Sequence, residues 1–266
     1  MNDTTQIIEL IQPSALESME RAQTDVQITT AKRFPRTLST VKKNMMEFAT
    51  LDEETAASCF YTLTRKGRDG AKQIQGPSVR MAEIALSCYQ NVRAGARIIA
   101  NDGKTITAQG VCHDLQNNVS VSVEVKRRIT DKNGNAFSED MQVVTGNAAC
   151  AIALRNATFK VIPGALVNPV YEAAKKVAVG DATTLNARRA KCVDAFGKMG
   201  VSKEKLLAKL ERKAVEDISL EDLETLIGLH TAIKSGDTTI DEQFLEPKPQ
   251  TEPQFAAAKP QEKEGK

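Results

Sequence analysis

The side chains of this chain best equipped for chemistry are basic ones set beside glycines, serines and small apolar residues, and the chemistry they suit is holding phosphate. The first group is Arg65, Lys66, Arg68 and Lys72, spaced around Gly67 and Gly70. Glycines let backbone N–H groups approach a phosphate, and flanking cations hold it. A plain solvated hairpin tip has the same composition. The second group, Lys126-Arg127-Arg128, ends a valine-rich segment. Alternation puts Lys126 and Arg128 on one strand face and Arg127 on the other, unless a bulge intervenes. Charge at that place also protects an edge strand from aggregation, so both readings stand. The third group is Arg155 with Asn156, Phe159 and Lys160 on a predicted helix. Arg155 falls beside the small-residue face, and its fixed fork of donors suits phosphate. Its rival reading is a buried ion pair with an acid such as Glu83.

Other chemistries leave no trace. No G-x-x-x-x-G-K-[ST] occurs, and Gly103-Lys104 sits in a predicted hairpin turn, so an ATP-driven recombinase or helicase is not expected. G-x-G-x-x-G, H-E-x-x-H and G-x-S-x-G are also missing. The acids are scattered without a D-x-D or E-x-K nuclease-like cluster. Five cysteines (Cys59, Cys88, Cys112, Cys150 and Cys192) form no C-x-x-C, and His113 and His230 are the two histidines. Neither zinc nor another cofactor is expected, and the thiols read as reduced core residues. The chain reads as a non-enzyme.

Charge is unevenly spread. The net charge of the whole chain is +2, but residues 1–30 carry −4, residues 31–160 carry +7, residues 161–235 carry +2 and residues 236–266 carry −3. A basic middle suits a polyanion partner. Aromatic residues make up 4% of the chain and tryptophan is absent, which favours a grip on the sugar–phosphate backbone over base stacking. No apolar run is long enough for a membrane span. Met1 to Glu9 carry acids and no basic stretch, so a secretory signal is not expected and the reading is cytoplasmic.

The elements that must position these cations follow from periodicity. Residues 1–30, with an apolar patch at Ile7, Ile8, Leu10 and Ile11, read as an N-terminal arm or helix. Residues 37–57 predict a helix, with Leu38, Val41, Met45 and Phe48 at helical spacing. Cys59–Leu63 and Lys72–Gln75 predict a hairpin across a turn at 65–70, and a helix follows Gly76-Pro77. Residues 91–130 predict a three-strand antiparallel meander: Asn101-Asp102-Gly103 marks one turn and Gln116-Asn117-Asn118 the next. Its apolar face carries Val92, Ala94, Ala96 and Ile98, and its polar face carries Arg93, Arg97 and Lys126. A long helix is expected from about Ser138 to Ile162, stopped by Pro163-Gly164, and a short one over 169–179. After a linker at 180–184, a helical module is expected, with a Ser219–Asp222 capping box and an end at Ser235-Gly236. From Glu246 the tail is rich in Pro, Lys, Gln and Glu and reads as disordered. The expected fold is α+β: an antiparallel β-meander packed against a long helix, with a small C-terminal helical module and a disordered tail. The divisions are an arm at 1–30, a core at 31–180, a helical module at 185–244 and a tail at 245–266. The expected binding surface is a cation-lined trough between the sheet and the long helix.

The order of helix, basic hairpin, Gly-Pro-Ser-Val-Arg-Met-Ala-Glu-Ile helix, meander and Asn-Ala-Ala-Cys-Ala-Ile-Ala-Leu-Arg-Asn-Ala helix resembles phage single-strand DNA annealing proteins of the RecT/Redβ/ERF kind, over roughly residues 30–180. Val201–Phe244 is similar to the helical tail module of those proteins. The resemblance implies ATP-independent annealing of complementary single strands in phage-type recombination, and a homo-oligomeric ring or filament. It also implies a partner such as a phage exonuclease or a host single-strand-binding protein. By position it places DNA contacts at Arg65, Lys66, Arg68, Arg80, Arg155 and Lys160, with Lys126, Arg127 and Arg128 secondary. Two other readings are a phage or mobile-element scaffold without annealing activity, and a nucleic-acid-processing enzyme with an unrecognised metal site.

Overall fold

The computed structural model describes residues 14–67, 70–131 and 133–244. Helix α1 (Ala15–Arg33) starts in a capping box between Ser14 and Glu17. It turns Thr24, Ile28 and Ala31 to the body and leaves Met19 and Val26 exposed. Behind it Arg36 reaches both carboxylate oxygens of Asp114 at 2.6 Å and lies over the Tyr89 ring at 3.9 Å. Burial alone would raise the Asp114 carboxyl, but hydrogen bonds from Arg36 and Asn117 outweigh it and hold it at about 2.

The helix expected over 37–57 is two. Helix α2 (Leu38–Ala49) ends before Thr50, and Asp52 opens α3 (Glu53–Ser58) by accepting from the Thr55 N–H. The buried stripe of α2 is Val41, Met45 and Ala49, whereas Leu38 and Phe48 stand 56% and 55% exposed. Packing between α2 and the helices behind it turns the stripe one position from the expected one.

Strands β1 (Phe60–Gly67) and β2 (Gly70–Pro77) form the basic hairpin. Pairing runs further than predicted, to Gly67 opposite Gly70, so Arg65 lies opposite Lys72 on the ladder rather than in a turn. Ser78 caps α4 (Val79–Tyr89) and donates to the Ser58 carbonyl. The meander is β3 (Val92–Asn101), β4 (Thr105–Asp114) and β5 (Val119–Arg128), antiparallel in the order β3-β4-β5, with a bulge between Ile98 and Ala100.

Ser138 caps the long helix α5 (Glu139–Val161), which lies directly on the even-numbered face of β4. A Cβ at Gly110 would overlap the Ala153 carbonyl, so backbone meets backbone there. The expected trough between sheet and long helix is therefore closed; the small residues that promised it serve instead for contact. Pro163-Gly164 ends α5 as expected, but Gly164 at once begins α6 (Gly164–Val179). That helix is longer than the one expected over 169–179, and it contains Pro169. Helices α2, α3, α4 and α6 share a core around Met45, Phe60, Met81 and Ile162.

Asp181 builds the connecting turn, and α7 (Leu185–Lys198), α8 (Lys203–Leu210), α9 (Leu220–Lys234) and α10 (Ile240–Phe244) enclose a second core around Phe196, Leu223 and Leu226. Ser219 and Asp222 form the predicted capping box and Ser235 ends α9. This module is fastened to the rest through β1. A Cβ at Gly228 would overlap Thr62, Thr231 donates to the Ala57 carbonyl, and the Gln243 amide bridges the N–H and C=O of Thr64. The tail from residue 245 lies outside the described residues. All five cysteines are free thiols, four of them buried and Cys150 half-buried. Among the described residues no helix is long and apolar enough to cross a membrane.

Candidate nucleic-acid interface

Strand alternation sorts the meander into two faces. The inner face carries Ile106, Ala108, Gly110 and Cys112 of β4 and, through the register, Val121, Val123, Val125 and Arg127 of β5. The outer face then reads in rows across the three strands: Arg93, His113 and Ser120; Gly95, Val111 and Ser122; Arg97, Gln109 and Glu124. Lys126 opposite Thr107 and Arg128 opposite Thr105 complete it. Arg97, Ser120, Ser122, Glu124, Lys126 and Arg128 are exposed. Four cations and one acid give the face a positive balance. Among the described residues no ion pair engages Arg97, Lys126 or Arg128. Arg93 donates to the Thr24 hydroxyl at 3.0 Å, where α1 passes the sheet. Asp102, in the β3–β4 turn, is held at about 2 chiefly by the Thr105 and Lys104 backbone N–H groups, so it stays charged near Lys126.

The outer face is better supplied with groups that hold phosphate than with large aromatic rings that stack on bases. Lys126 and Arg128 are two residues apart on one strand, about 7 Å at the usual rise. Thr107 and Thr105 are their cross-strand neighbours, and Glu124 separates Lys126 from Ser122 and Ser120, which supply neutral donors further along the face. None of the residues in these rows is Phe, Tyr or Trp.

The remaining predicted residues lie elsewhere. Arg65 and Lys72 are exposed and opposite one another near the hairpin tip. Lys66 is opposite Ala71 on the same ladder; its side chain and the whole of Arg68 lie outside the described residues. Arg80 is exposed and bonded to Glu83 at 2.6 Å. Lys160 is exposed near the end of α5. Arg127 faces inward and donates to the carbonyls of Gly236 at 2.9 Å and Asp237 at 3.4 Å, just past the end of α9. Arg155 is only 7% exposed; its guanidinium bonds Asp237 at 2.9 Å and lies over the Tyr61 ring at 4.5 Å. The ion-pair reading of Arg155 is the one the fold realises, with Asp237 rather than Glu83 as partner. Nothing in the sequence around Asp237 marks it for that role, because it stands 82 positions away in a short turn.

Of the ten predicted cations, the eight whose side chains are described divide. Lys126 and Arg128 share one open face with Arg93 and Arg97, Arg65 and Lys72 form a second exposed pair, Arg80 and Lys160 stand apart, and Arg127 and Arg155 hold the molecule together. No family model, no curated protein and no solved structure matches this chain.

Proposed function

We propose that this protein binds single-stranded DNA by its sugar–phosphate backbone and anneals complementary strands without ATP, in phage-type recombination. The observation that carries the reading is the outer face of the meander, where Arg97, Lys126 and Arg128 are exposed, no ion pair among the described residues engages them, and the rows hold no Phe, Tyr or Trp. Cations fix the strand, and the absence of these large stacking rings leaves the bases turned out and free to pair. Base pairing then supplies the free energy of the product, so no fuel is required. Arg93 lies on the same face, and Arg65 and Lys72 on the hairpin offer a further contact. In this reading the protein acts as a homo-oligomeric ring or filament, with a phage exonuclease or a host single-strand-binding protein as its partner.

The test is the rate at which two complementary oligonucleotides anneal, with and without the protein, in the absence of nucleotide. Acceleration at stoichiometric coverage supports the reading, and an unchanged rate removes it. A second reading, a scaffold protein without annealing activity, is favoured by the apolar side chains that α1 leaves uncovered, Met19 and Val26. Retention on single-stranded DNA at moderate salt argues against it.

A further inference from the structure

On the side of α5 away from the sheet, helices α3, α4, α5, α7 and α9 enclose a cleft of about 1000 Å³. Its floor is made of small or aliphatic groups: Ala57, Ala148, Ala151, Ala195 and Ile227. Val144 stands 56% exposed at its lining. Its charges are balanced. Glu53 holds Arg188 at 2.7 Å and Lys191 at 3.0 Å, Arg80 holds Glu83, and Asp52, Glu54 and Lys234 complete four acids and four cations in the lining. A balanced rim does not attract a polyanion. An apolar floor inside such a rim fits a short peptide with an apolar centre and one charge of each sign.

The chain contains such a peptide. Within the proline- and charge-rich tail, Glu252-Pro-Gln-Phe255-Ala-Ala-Ala258-Lys259 is the one apolar cluster, flanked by an acid and a base. The point at which the tail departs also favours this cleft. Phe244, the last residue of α10, meets the Phe196 ring edge-on at 5.8 Å, and His230, which lines the cleft, meets the same ring at 5.8 Å. Phe244, where the described residues end, therefore lies across one buried ring from His230 of the cleft wall. The stretch from Phe244 to Phe255 spans up to about 36 Å when extended, more than such a step needs. A tether of this length keeps the local concentration of the peptide near the millimolar range.

We propose that Glu252–Lys259 docks in this cleft of its own chain, with the Phe255 ring on the alanine floor and the two flanking charges at the rim. The proposal stands apart from the strand-binding reading, since the cleft and the outer sheet face are different surfaces.

Because the chain has no tryptophan, Phe255→Trp in the full-length protein gives a single reporter. Its emission should be blue-shifted and shielded from acrylamide, with no change on dilution. Adding Val144→Glu, at an exposed position, or Ala151→Glu on the floor should return it to a solvent-like spectrum. An exposed spectrum in Phe255→Trp overturns the proposal, as does a blue shift that neither glutamate affects. A shift lost on dilution means that a second copy is the occupant and overturns docking in cis. Independently of the tryptophan, amide exchange in Val79–Glu83 and Arg188–Ala195 should be at least twofold faster in Phe255→Asp than in the wild type. Equal exchange in the two proteins contradicts the proposal.

Discussion

Arg155 of α5 and Asp237 behind α9 meet at 2.9 Å, both side chains less than a tenth exposed. The Tyr61 ring lies against the guanidinium, and Arg127 of β5 donates to the backbone of the same turn. One turn after α9 thus fastens the long helix, the meander and the hairpin to the C-terminal helices. Removing one partner of a buried pair leaves the other charge uncompensated, which costs about 3–5 kcal/mol. Arg155→Met should lower stability by that amount in urea unfolding, as should Asp237→Asn to a lesser degree, and the two together should cost less than their sum. DNA affinity of the folded Arg155→Met protein should match the wild type. A stable variant that no longer binds DNA would make Arg155 a ligand contact instead.

The close approach of α5 to β4 gives a second expectation. Gly110→Ala forces a methyl group against the Ala153 carbonyl and should destabilise by at least about 1–3 kcal/mol. Gly95→Ala, on the outer face with nothing within 4 Å of an added Cβ, should change stability by less than about 0.5 kcal/mol. Thermal unfolding of the two variants side by side checks the contrast, and equal effects would mean that helix and sheet are not in contact.

Asp114 sets a third expectation, in pH. Its carboxyl falls from an ordinary value of 3.8 to about 2 in the folded protein, so the unfolded chain takes up the proton first as the solution is acidified. Its contribution to stability is full above about 4 and drains away as the pH falls through about 2. The urea midpoint of the wild type should drop across that window. Asp114→Asn, less stable at neutral pH because Arg36 loses its partner, should show a flatter profile there. Parallel profiles would show that Asp114 is not what makes the fold acid-sensitive.

How legible these features were depended on the range of the interaction. The meander was readable because Val119, Val121, Val123 and Val125 alternate with polar residues, and its turns carry Asn-Asp-Gly and Asn-Asn. The long helix was readable from Ser138 and from Pro163. The same alternation placed Lys126 and Arg128 together and sent Arg127 inward, as the register has it. The break at Asp52 was missed because the apolar spacing runs on across it. The closed contact at Gly110 was missed because a small residue in a strand signals close approach without saying to what. Arg155 kept two readings because the residue that decides between them, Asp237, is brought there by tertiary packing alone. The trough expected between sheet and helix failed for the same reason: its small residues are as good for contact as for a channel.

The central claim is that phosphate is held on the outer face of the meander, and the salt dependence of single-stranded DNA binding tests it most directly. For single strands the logarithm of affinity falls against the logarithm of salt with a slope of about −0.7 per phosphate contact, so four cations on this face predict a slope near −3 for the wild type. Lys126→Ala with Arg128→Ala should flatten that slope by about 1.4 and weaken binding equally for every base sequence, with the unfolding midpoint unchanged. A double variant that keeps the wild-type slope would place the strand on some other surface of this protein.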